Sequence, residues 1–252
     1  MKLMIMSAAL ALAASPAAAQ PAKAQPAKAI NVVLVHGAWA DGSSWSEVIP
    51  LLQDAGLHVT AVQNSLSTLK DADADARRAI AAQTGPTVLV GHSWSGTIVS
   101  DVGDDPKVTA LVYVAARAPA AGEDFLALQG TFPNTPARAG IVTRDGYTLL
   151  SQQAFLDDFA NGVPRRDALV LYAVQGSTAA SIFAEHTTAT AWKSKPTYYA
   201  VSKQDRTIAP EFERFLAKRM NAQTIEVNAG HLSMVSHPKE IADLIIRAAS
   251  GK

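Results

Sequence analysis

The sequence predicts an α/β fold, in which a doubly wound, mostly parallel sheet carries an inserted, mainly helical cap. Three observations predict it. Short apolar runs of strand length alternate with longer segments of helical periodicity, which is the pattern of a parallel sheet covered by helices. The apolar runs are continuous, as in strands buried on both faces. Between about residues 118 and 191 the alternation stops, which indicates an insertion.

Before the insertion, the pattern predicts four strands with helices between them. The strands cover residues 30–36, 57–62, 87–90 and 108–114, and the helices cover about 43–55, 71–83 and 97–102. Ser43 or Ser44 is the expected N-cap of the first helix, and Gly56 is expected to end it. The second helix has aspartates early and arginines late, which suits the helix dipole.

After the insertion, two further strand–helix pairs are predicted. The strands cover residues 196–201 and 224–227, and the helices cover 211–220 and 238–249. The folded part is then a single domain of residues 30–252, with the cap inserted at about 118–191. Sheets of this type place their sites beyond the carboxyl ends of the strands, so the cap is expected to cover that edge.

The first 29 residues are expected to lie outside the fold. Lys2, an apolar stretch up to Ala14 and a final Ala-Ala-Ala form the pattern of a signal peptide over residues 1–19. Residues 20–29 repeat Ala, Pro and Lys, which predicts a disordered linker. The expected location is the bacterial periplasm or the medium, with no stable membrane anchoring after signal cleavage. An uncleaved anchor is the alternative.

The overall composition argues against several classes of function. Lys plus Arg and Asp plus Glu number 22 each, so the charge gives no reason to expect nucleic acid or an acidic membrane surface as a partner. The absence of cysteine excludes a disulfide framework, a thiolate nucleophile and a cysteine-ligated metal. No metal or cofactor is expected from the motifs, and the sequence makes no prediction of oligomeric state.

The most informative segment is residues 88–96, which read VLVGHSWSG. An apolar strand runs into Gly-His-Ser and small residues begin a helix, which is the context of a nucleophile elbow that exposes a serine. Ser93 is the expected nucleophile. The G-x-S-x-G pattern is incomplete, because Ser95 stands at the second glycine and Gly96 follows one residue late. Ser95 is a weaker alternative nucleophile, because no strand followed by Gly-x precedes it in that register.

A serine hydroxyl needs a base and an orienting acid, which in an elbow fold follow it in the order Asp or Glu, then His. Asp205 comes after the predicted strand 196–201, and His231 comes after the predicted strand 224–227. Both therefore lie past the carboxyl end of a strand, where a site is expected. The predicted catalytic residues are Ser93, Asp205 and His231.

Other polar residues near the predicted site receive different interpretations. Glu123 or Asp124, after the strand 108–114, is the alternative acid. His92 is expected to point away from the nucleophile and pack in the core, and Asp101 to face solvent or a neighbouring strand. His186 stands in the cap, where contact with substrate and exposure to solvent are both open. His237 stands at a helix start and is expected to be a surface or capping residue.

Acyl transfer also needs N–H donors for the negative oxygen of the tetrahedral intermediate. One is the amide that follows the nucleophile, which belongs to Trp94. The other is expected from the loop after the first strand, where Ala38 is the natural donor. Gly37 is expected to allow a sharp turn of the backbone there.

Four segments resemble the α/β-hydrolase superfamily, and they read VLVHGAWADGSSW, VLVGHSWSG, SKQDRTIAPEF and AGHLSMVSHP. They are most similar to its small, capped branch, which includes plant methylesterases, hydroxynitrile lyases and bacterial esterases related to pyrethroid hydrolases. The resemblance covers about residues 32–244 and implies the same nucleophile, acid, base and oxyanion donors. The lyases of this branch carry threonine at the position of Gly37 and lysine at the position of Leu232. The absence of this threonine and this lysine from the present sequence favours ester hydrolysis.

The expected function is that of a secreted serine carboxylesterase, which cleaves small to medium apolar or aromatic esters through an acyl-enzyme. Residues expected to line the pocket are Trp39, Phe125, Phe155 and His186. Core packing within the cap explains its aromatic residues equally well. Two alternatives stay open: a ligand-binding protein with a slow or vestigial triad, and a lyase or C–C bond hydrolase that uses the same triad.

Overall fold

The computed structural model describes residues 28–251 of the chain. Its strands are β1 (Asn31–Val35), β2 (His58–Val62), β3 (Thr87–His92), β4 (Val108–Val114), β5 (Ile141–Arg144), β6 (Tyr147–Leu150), β7 (Thr178–Ala179), β8 (Thr197–Ser202) and β9 (Gln223–Val227). Its α-helices are α1 (Val48–Asp54), α2 (Leu69–Ala81), α3 (Gly96–Val102), α4 (Phe125–Gln129), α5 (Gln152–Ala154), α6 (Arg165–Ala173), α7 (Pro210–Arg219), α8 (Ser233–Ser236) and α9 (Pro238–Ser250).

A parallel sheet of six strands forms the centre of the fold, in the order β2–β1–β3–β4–β8–β9. The inner strands β1, β3 and β8 are buried along their whole length, whereas the edge strands β2 and β9 are mostly half-buried or exposed. This difference follows from the continuous apolar runs of the inner strands, which suit positions covered on both faces. The predicted doubly wound, parallel sheet is confirmed.

Two helix pairs pack on the sheet, α1 with α9 and α2 with α3. In α9 the buried residues follow helical spacing, so one apolar stripe faces the sheet: Ile241, Leu244, Ile245 and Ala248. The helix ends at Gly251, whose φ of +71° is the left-handed conformation that glycine adopts at helix ends. The last helix therefore closes the core over the middle of the sheet.

The region around residue 43 differs from the prediction of one continuous helix. Residues Gly42–Trp45 form a 3-10 turn, and α1 begins only at Val48. The N-cap of this 3-10 turn is Asp41 rather than a serine, because the carboxylate of Asp41 accepts the N–H of Ser43 at 2.8 Å. Pro50 explains the break, since proline is tolerated in the first turn of a helix but not in its interior.

The segment between β4 and β8 carries the cap, which contains α4, α5 and α6 but also a sheet that was not predicted. The strands β5, β6 and β7 form an antiparallel sheet in that order. A two-residue loop, Asp145 and Gly146, joins β5 to β6, and both residues have positive φ, of 49° and 80°. Asp-Gly between short strands is a strong hairpin signal, so the sequence did carry a sign of this sheet.

The fold begins slightly earlier than expected. Ala29 is buried and its N–H donates to the carbonyl of Ala249 at 2.8 Å, so this residue is not part of a disordered linker. The predicted signal peptide and residues 20–27 of the predicted linker lie outside the described residues. Within residues 28–251, no helix is long and apolar enough to cross a bilayer.

Candidate active site

The residues predicted to act as nucleophile, acid and base meet at the carboxyl edge of the sheet. Ser93 directly follows β3, Asp205 follows β8 and His231 follows β9. Ser93 Oγ lies 2.8 Å from His231 Nε2, and His231 Nδ1 lies 2.5 Å from Asp205 Oδ2. Parallel strands bring their carboxyl ends to one edge, which is why residues far apart in the chain become neighbours here.

The hydrogen bonds around His231 set the direction in which a proton can move. The carboxylate of Asp205 accepts from Nδ1–H, which leaves Nε2 as an acceptor for the hydroxyl of Ser93. The side chains of His231 and Asp205 have no exposed surface. The other carboxylate oxygen of Asp205 accepts the backbone N–H groups of Thr207 at 2.6 Å and Ile208 at 2.9 Å. The acid is therefore held in one orientation, and the imidazole is aligned to take a proton from the serine.

The backbone at Ser93 has a φ of +56°, a left-handed conformation that costs energy for any residue other than glycine. This turn points the hydroxyl out of the end of β3. Gly37 makes room for it, because an added Cβ at that position would lie 2.7 Å from Ser93 Cβ. Gly37 itself does not have a positive φ; the sharp turn expected there occurs at Trp39, whose φ is +56°.

Ser95 and Gly96 together take the place of the second glycine of the G-x-S-x-G pattern. The buried hydroxyl of Ser95 lies 2.8 Å from the carbonyl oxygens of both Val35 and His92, which share its single proton, and it forms no hydrogen bond with a base. The close packing falls on Gly96, where an added Cβ would lie 1.9 Å from the carbonyl oxygen of Arg117. The departure from the usual pattern thus leaves the elbow intact and adds a polar link to β1.

His92 is buried beside the candidate base, with 4.6 Å between the two ring centroids. Its Nε2 donates to the backbone carbonyl of His231 at 3.0 Å. Burial, and then the nearby His231, lower the pKa of His92 well below its ordinary value, so the ring is neutral. His92 therefore has a packing role, and it also holds the loop that carries the candidate base.

A second buried carboxyl group lies beside Asp205 and was not singled out from the sequence. Glu213 on α7 is fully buried, and its carboxyl accepts the N–H of Ser202 at 3.0 Å. Burial raises the pKa of Glu213 well above its ordinary value, and the nearby carboxylate of Asp205 raises it further. Glu213 is thus held as a neutral acid beside Asp205, and its Oε1 has no hydrogen-bond partner within the described residues.

A cavity of about 260 Å³ opens beside the nucleophile. Its walls come from the loop after β1, the elbow and the cap, and the residues that line it next to Ser93 include Ala38, Trp94 and Arg117. Trp94 lies in the first turn of a 3-10 helix (Ser93–Ser95), where N–H groups have no acceptor within the helix. Both expected oxyanion donors therefore border the space that Ser93 faces. Arg117 was not singled out from the sequence.

Trp39 lines this cavity, as expected, and joins the loop after β1 to the cap sheet. Its backbone N–H donates to Thr178 Oγ1 at 3.1 Å, and its indole N–H donates to Thr148 Oγ1 at 3.0 Å. The hydroxyl of Thr148 in turn donates to the carbonyl of Thr178 at 2.9 Å. A closed set of hydrogen bonds therefore connects the loop after β1 with β6 and β7.

Phe125 does not line the cavity, contrary to expectation. It packs against Phe212 on α7, with 5.3 Å between the ring centroids, while its neighbour Leu126 lines the cavity instead. Successive residues of a helix point in different directions, so an error of one residue changes which side chain reaches a pocket.

Phe155 and His186 do not reach the cavity either. Phe155 is buried and borders a much smaller space of about 10 Å³ on the other side of Trp39. His186 is exposed, and its Nδ1 lies 2.9 Å from the carbonyl of Glu123. The aromatic residue of the cap that does line the cavity is Phe183.

The alternative acids are engaged elsewhere. Glu123 forms an ion pair with Arg219, at 2.8 Å and 2.9 Å, and Asp124 accepts the N–H of Ala127 at the start of α4. Neither forms a hydrogen bond with His231. The acid of this site is therefore Asp205 by position.

Two further residues also differ in environment. Asp101 is buried rather than facing solvent: it accepts the backbone N–H groups of Thr188 and Ala189, each at 2.8 Å, and so joins α3 to the cap. His237 is half-buried at the start of α9, but its side chain makes no capping hydrogen bond. Across residues 28–251, no group of three or more His, Asp and Glu side chains is placed to hold a metal ion.

Comparison with known proteins places this arrangement in a family. The model of the alpha/beta hydrolase family matches residues 32–244. The chain is 26% identical over 253 residues to Esterase PIR7B of Oryza sativa subsp. japonica, which covers 86% of this chain and 93% of that protein. Two solved structures at 20% identity have the same fold. Polyneuridine aldehyde esterase matches with a TM-score of 0.74 over 85% of this chain and 97% of its own. A pyrethroid hydrolase from Sphingobium faniae JZ-2 matches with a TM-score of 0.71, over 88% of this chain and 97% of its own. Because the family match spans most of its length, this chain belongs to the alpha/beta hydrolase family.

Proposed function

We propose that this protein is a serine carboxylesterase that acts on small-molecule esters. The observation that carries the proposal is the continuous set of hydrogen bonds from Ser93 through His231 to Asp205, with the hydroxyl beside a cavity. A serine whose hydroxyl is bonded to an oriented, buried imidazole is an activated nucleophile. The names of the similar proteins, which are esterases and a pyrethroid hydrolase, also support it.

In the proposed reaction, His231 Nε2 takes the proton of Ser93 as Oγ attacks the ester carbonyl. The resulting imidazolium is stabilised by Asp205, and it then protonates the departing alcohol, which leaves an acyl group on Ser93. Water, deprotonated by His231, attacks the acyl carbonyl and releases the acid. The same three side chains therefore serve both halves of the cycle.

The N–H groups of Ala38 and Trp94 act as the oxyanion donors in this proposal. Both residues line the cavity at Ser93, one from the loop after β1 and one from the elbow. Donors of this kind are worth about 2.7–4 kcal/mol each in the transition state of acyl transfer. The hydrogen bonds of Trp39 to the cap hold the first donor in place.

Two positions favour ester hydrolysis over a lyase reaction. At Gly37, a side chain would collide with Ser93, so the threonine of the related lyases has no space here. At Leu232, directly after the candidate base, the side chain is buried and borders the small apolar space near Phe159. No positive charge lies at that position to stabilise a leaving cyanide.

We also propose that the protein is exported, with cleavage of residues 1–19. The pattern of Lys2, the apolar stretch and the final alanines supports export. The N-terminal sequence of the protein recovered from the periplasm or the medium tests this, because cleavage predicts a new terminus at Gln20.

The esterase proposal is tested by comparing Ser93→Ala with Ser95→Ala on 4-nitrophenyl esters. We expect Ser93→Ala to lower kcat by about 10⁴-fold or more. Ser95→Ala should still react with one equivalent of a fluorophosphonate, whereas Ser93→Ala should not. Full turnover by Ser93→Ala would refute the assignment. Labelling of the unmodified protein without turnover of any ester would support a ligand-binding protein with a vestigial triad instead.

A further inference from the structure

We propose that Arg117 recognises a carboxylate on the substrate, so that the preferred esters are anionic ones such as monoesters of short dicarboxylic acids. This inference rests on the proposed esterase function and specifies its substrate class. Arg117 lines the same cavity as Ser93, and the argument depends on its burial, its partners and the charge of the cavity wall.

The guanidinium of Arg117 is buried and has few partners. The residue is 5% exposed, and its one hydrogen bond from the side chain joins Nη2 to the carbonyl of Phe183 at 3.1 Å. The ring of Phe125 lies 4.4 Å from Cζ, in a cation–π contact. Its Nε is buried without any hydrogen-bond partner. Among residues 28–251, no carboxylate lies within ion-pair distance of it.

A buried cation without an anionic partner is costly, and proteins seldom retain one without a function. A guanidinium has five N–H donors, of which this one uses a single donor within the described chain. Burial lowers the pKa of Arg117 to about 9, which still leaves it protonated at neutral pH. The unused donors and the uncompensated charge are the complement of a carboxylate, which Arg binds through paired hydrogen bonds.

The position of Arg117 is fixed relative to the nucleophile. Its backbone N–H donates to the carbonyl of Ser93 at 3.0 Å. Its own carbonyl packs so closely on Gly96 that an added Cβ would lie 1.9 Å away. The backbone of Arg117 is therefore fixed against the elbow, while the carbonyl of Phe183 and the ring of Phe125 hold its guanidinium, so a carboxylate bound there would set the distance between the anionic group and the scissile ester.

The wall of the cavity has a positive charge and no negative one. None of the residues that line it is an aspartate or a glutamate, and a second arginine, Arg138, lies at its exposed rim. The rest of the wall is largely apolar, including Leu126, Ile141 and Phe183. A short apolar chain with a carboxylate at one end matches this combination.

The test compares esters that differ only in the charged group. One pair is 4-nitrophenyl hydrogen adipate and 4-nitrophenyl hexanoate, with the carboxylate in the acyl part. A second pair, 4-carboxyphenyl and 4-methylphenyl hexanoate, has it in the leaving group. We expect the unmodified protein to show a kcat/KM at least tenfold higher for the anionic member of one pair, as charged hydrogen bonds commonly provide. Equal values in both pairs would overturn the inference.

Substitution of Arg117 then assigns the preference to this residue. Arg117→Met should reduce the ratio of anionic to neutral kcat/KM to about one, and Arg117→Lys should restore part of it. A general folding defect would lower both rates and leave the ratio unchanged. Arg138→Met is the matched control, and we expect its ratio of anionic to neutral kcat/KM to stay within threefold of the ratio of the unmodified protein. The inference fails if the preference persists in Arg117→Met or disappears only in Arg138→Met.

If Arg117→Met does not fold, inhibition of the unmodified protein decides the question. Adipate should then inhibit hexanoate hydrolysis at least tenfold more strongly than hexane-1,6-diol, and equal inhibition would contradict the inference. Failure of the esterase proposal gives a different result, namely no hydrolysis of either member of either pair.

Discussion

Replacement of Gly37 by alanine should remove most of the activity while leaving the protein folded. Gly37 lies against the elbow, and the added Cβ would lie 2.7 Å from Ser93 Cβ and 2.9 Å from the carbonyl oxygen of His92. Because Gly37 does not have a positive φ, alanine is compatible with the backbone and the whole effect arises from lack of space. The substitution therefore acts on the nucleophile through sterics alone.

The size of the effect follows from these distances. Carbon atoms in favourable contact are about 3.5–4.0 Å apart, so Gly37 and Ser93 must separate by about 1 Å. A displacement of about 1 Å in a catalytic group costs about a hundredfold in rate, or about 2.7 kcal/mol of transition-state stabilisation. Overpacking should also lower the free energy of unfolding by about 1–3 kcal/mol.

The assay is kcat/KM on 4-nitrophenyl hexanoate, together with urea denaturation of the same preparations. Gly85→Ala is the matched control, because the nearest atom to its added Cβ is Ile30 Cδ1 at 3.5 Å, an ordinary contact. We expect Gly85→Ala to retain normal kcat/KM. A Gly37→Ala variant with kcat/KM within threefold of normal would refute the reasoning, since it would show that the elbow adjusts to the side chain without losing its geometry.

Two further predictions concern carboxyl groups whose pKa is raised by burial, the buried Glu213 and the half-buried Asp73. Glu213→Gln should keep a near-normal free energy of unfolding, because its uncharged amide can fill the buried position and still accept the N–H of Ser202, whereas Glu213→Leu should lower the free energy of unfolding by about 1–3 kcal/mol. Equal losses of unfolding free energy in the two variants, measured by urea denaturation, would contradict a neutral, hydrogen-bonded Glu213. Burial, and then the nearby carboxylate of Asp101, raise the pKa of Asp73 to about 8. The folded state therefore holds a proton that the unfolded chain releases at about pH 4, and stability should fall as the pH rises through about 8. Between about pH 6 and pH 9, the free energy of unfolding should fall by about 1–2 kcal/mol less in Asp73→Asn than in the unmodified protein. Identical profiles of unfolding free energy against pH would contradict the raised pKa of Asp73.

Much of the sheet and of the candidate site was predictable because its signals are local. A buried parallel strand is a continuous apolar run, and such runs located β1, β3 and β4 within about two residues at each end. Once the strand ends are known, the topology brings them to one edge. Ser93, Asp205 and His231 could therefore be assembled from their order in the chain and their places after strands.

The environment of the site was much less predictable. Glu213 and Asp101 are buried carboxyl groups on helices, and their sequence positions resemble those of ordinary charged residues on helix surfaces. The raised pKa of Glu213 and the hydrogen-bond partners of both residues depend on long-range packing, which no local pattern encodes. Arg117 is a single arginine after a strand, and only the fold of the cap shows that it has no acidic partner.

The prediction that Phe125 lines the pocket was wrong for the same reason. Phe125 and Leu126 are adjacent on α4, and which of them faces the cavity depends on how a helix of five residues is rotated against α7. Apolar content predicts that such a helix is buried on one side, but it does not fix the rotation of so short a helix.

The hydrogen bonds of Trp39 to Thr148 and Thr178 tie the cap sheet to the loop after β1, which carries Ala38, the proposed oxyanion donor. If β6 and β7 moved away from the sheet, the turn at Trp39 would lose both of its anchors and the amide of Ala38 would lose its fixed direction. A partly opened cap would then have an intact nucleophile and base but no complete site for the oxyanion. Such a state would hold substrate without reacting with it, so attack by Ser93 would be restricted to the closed form.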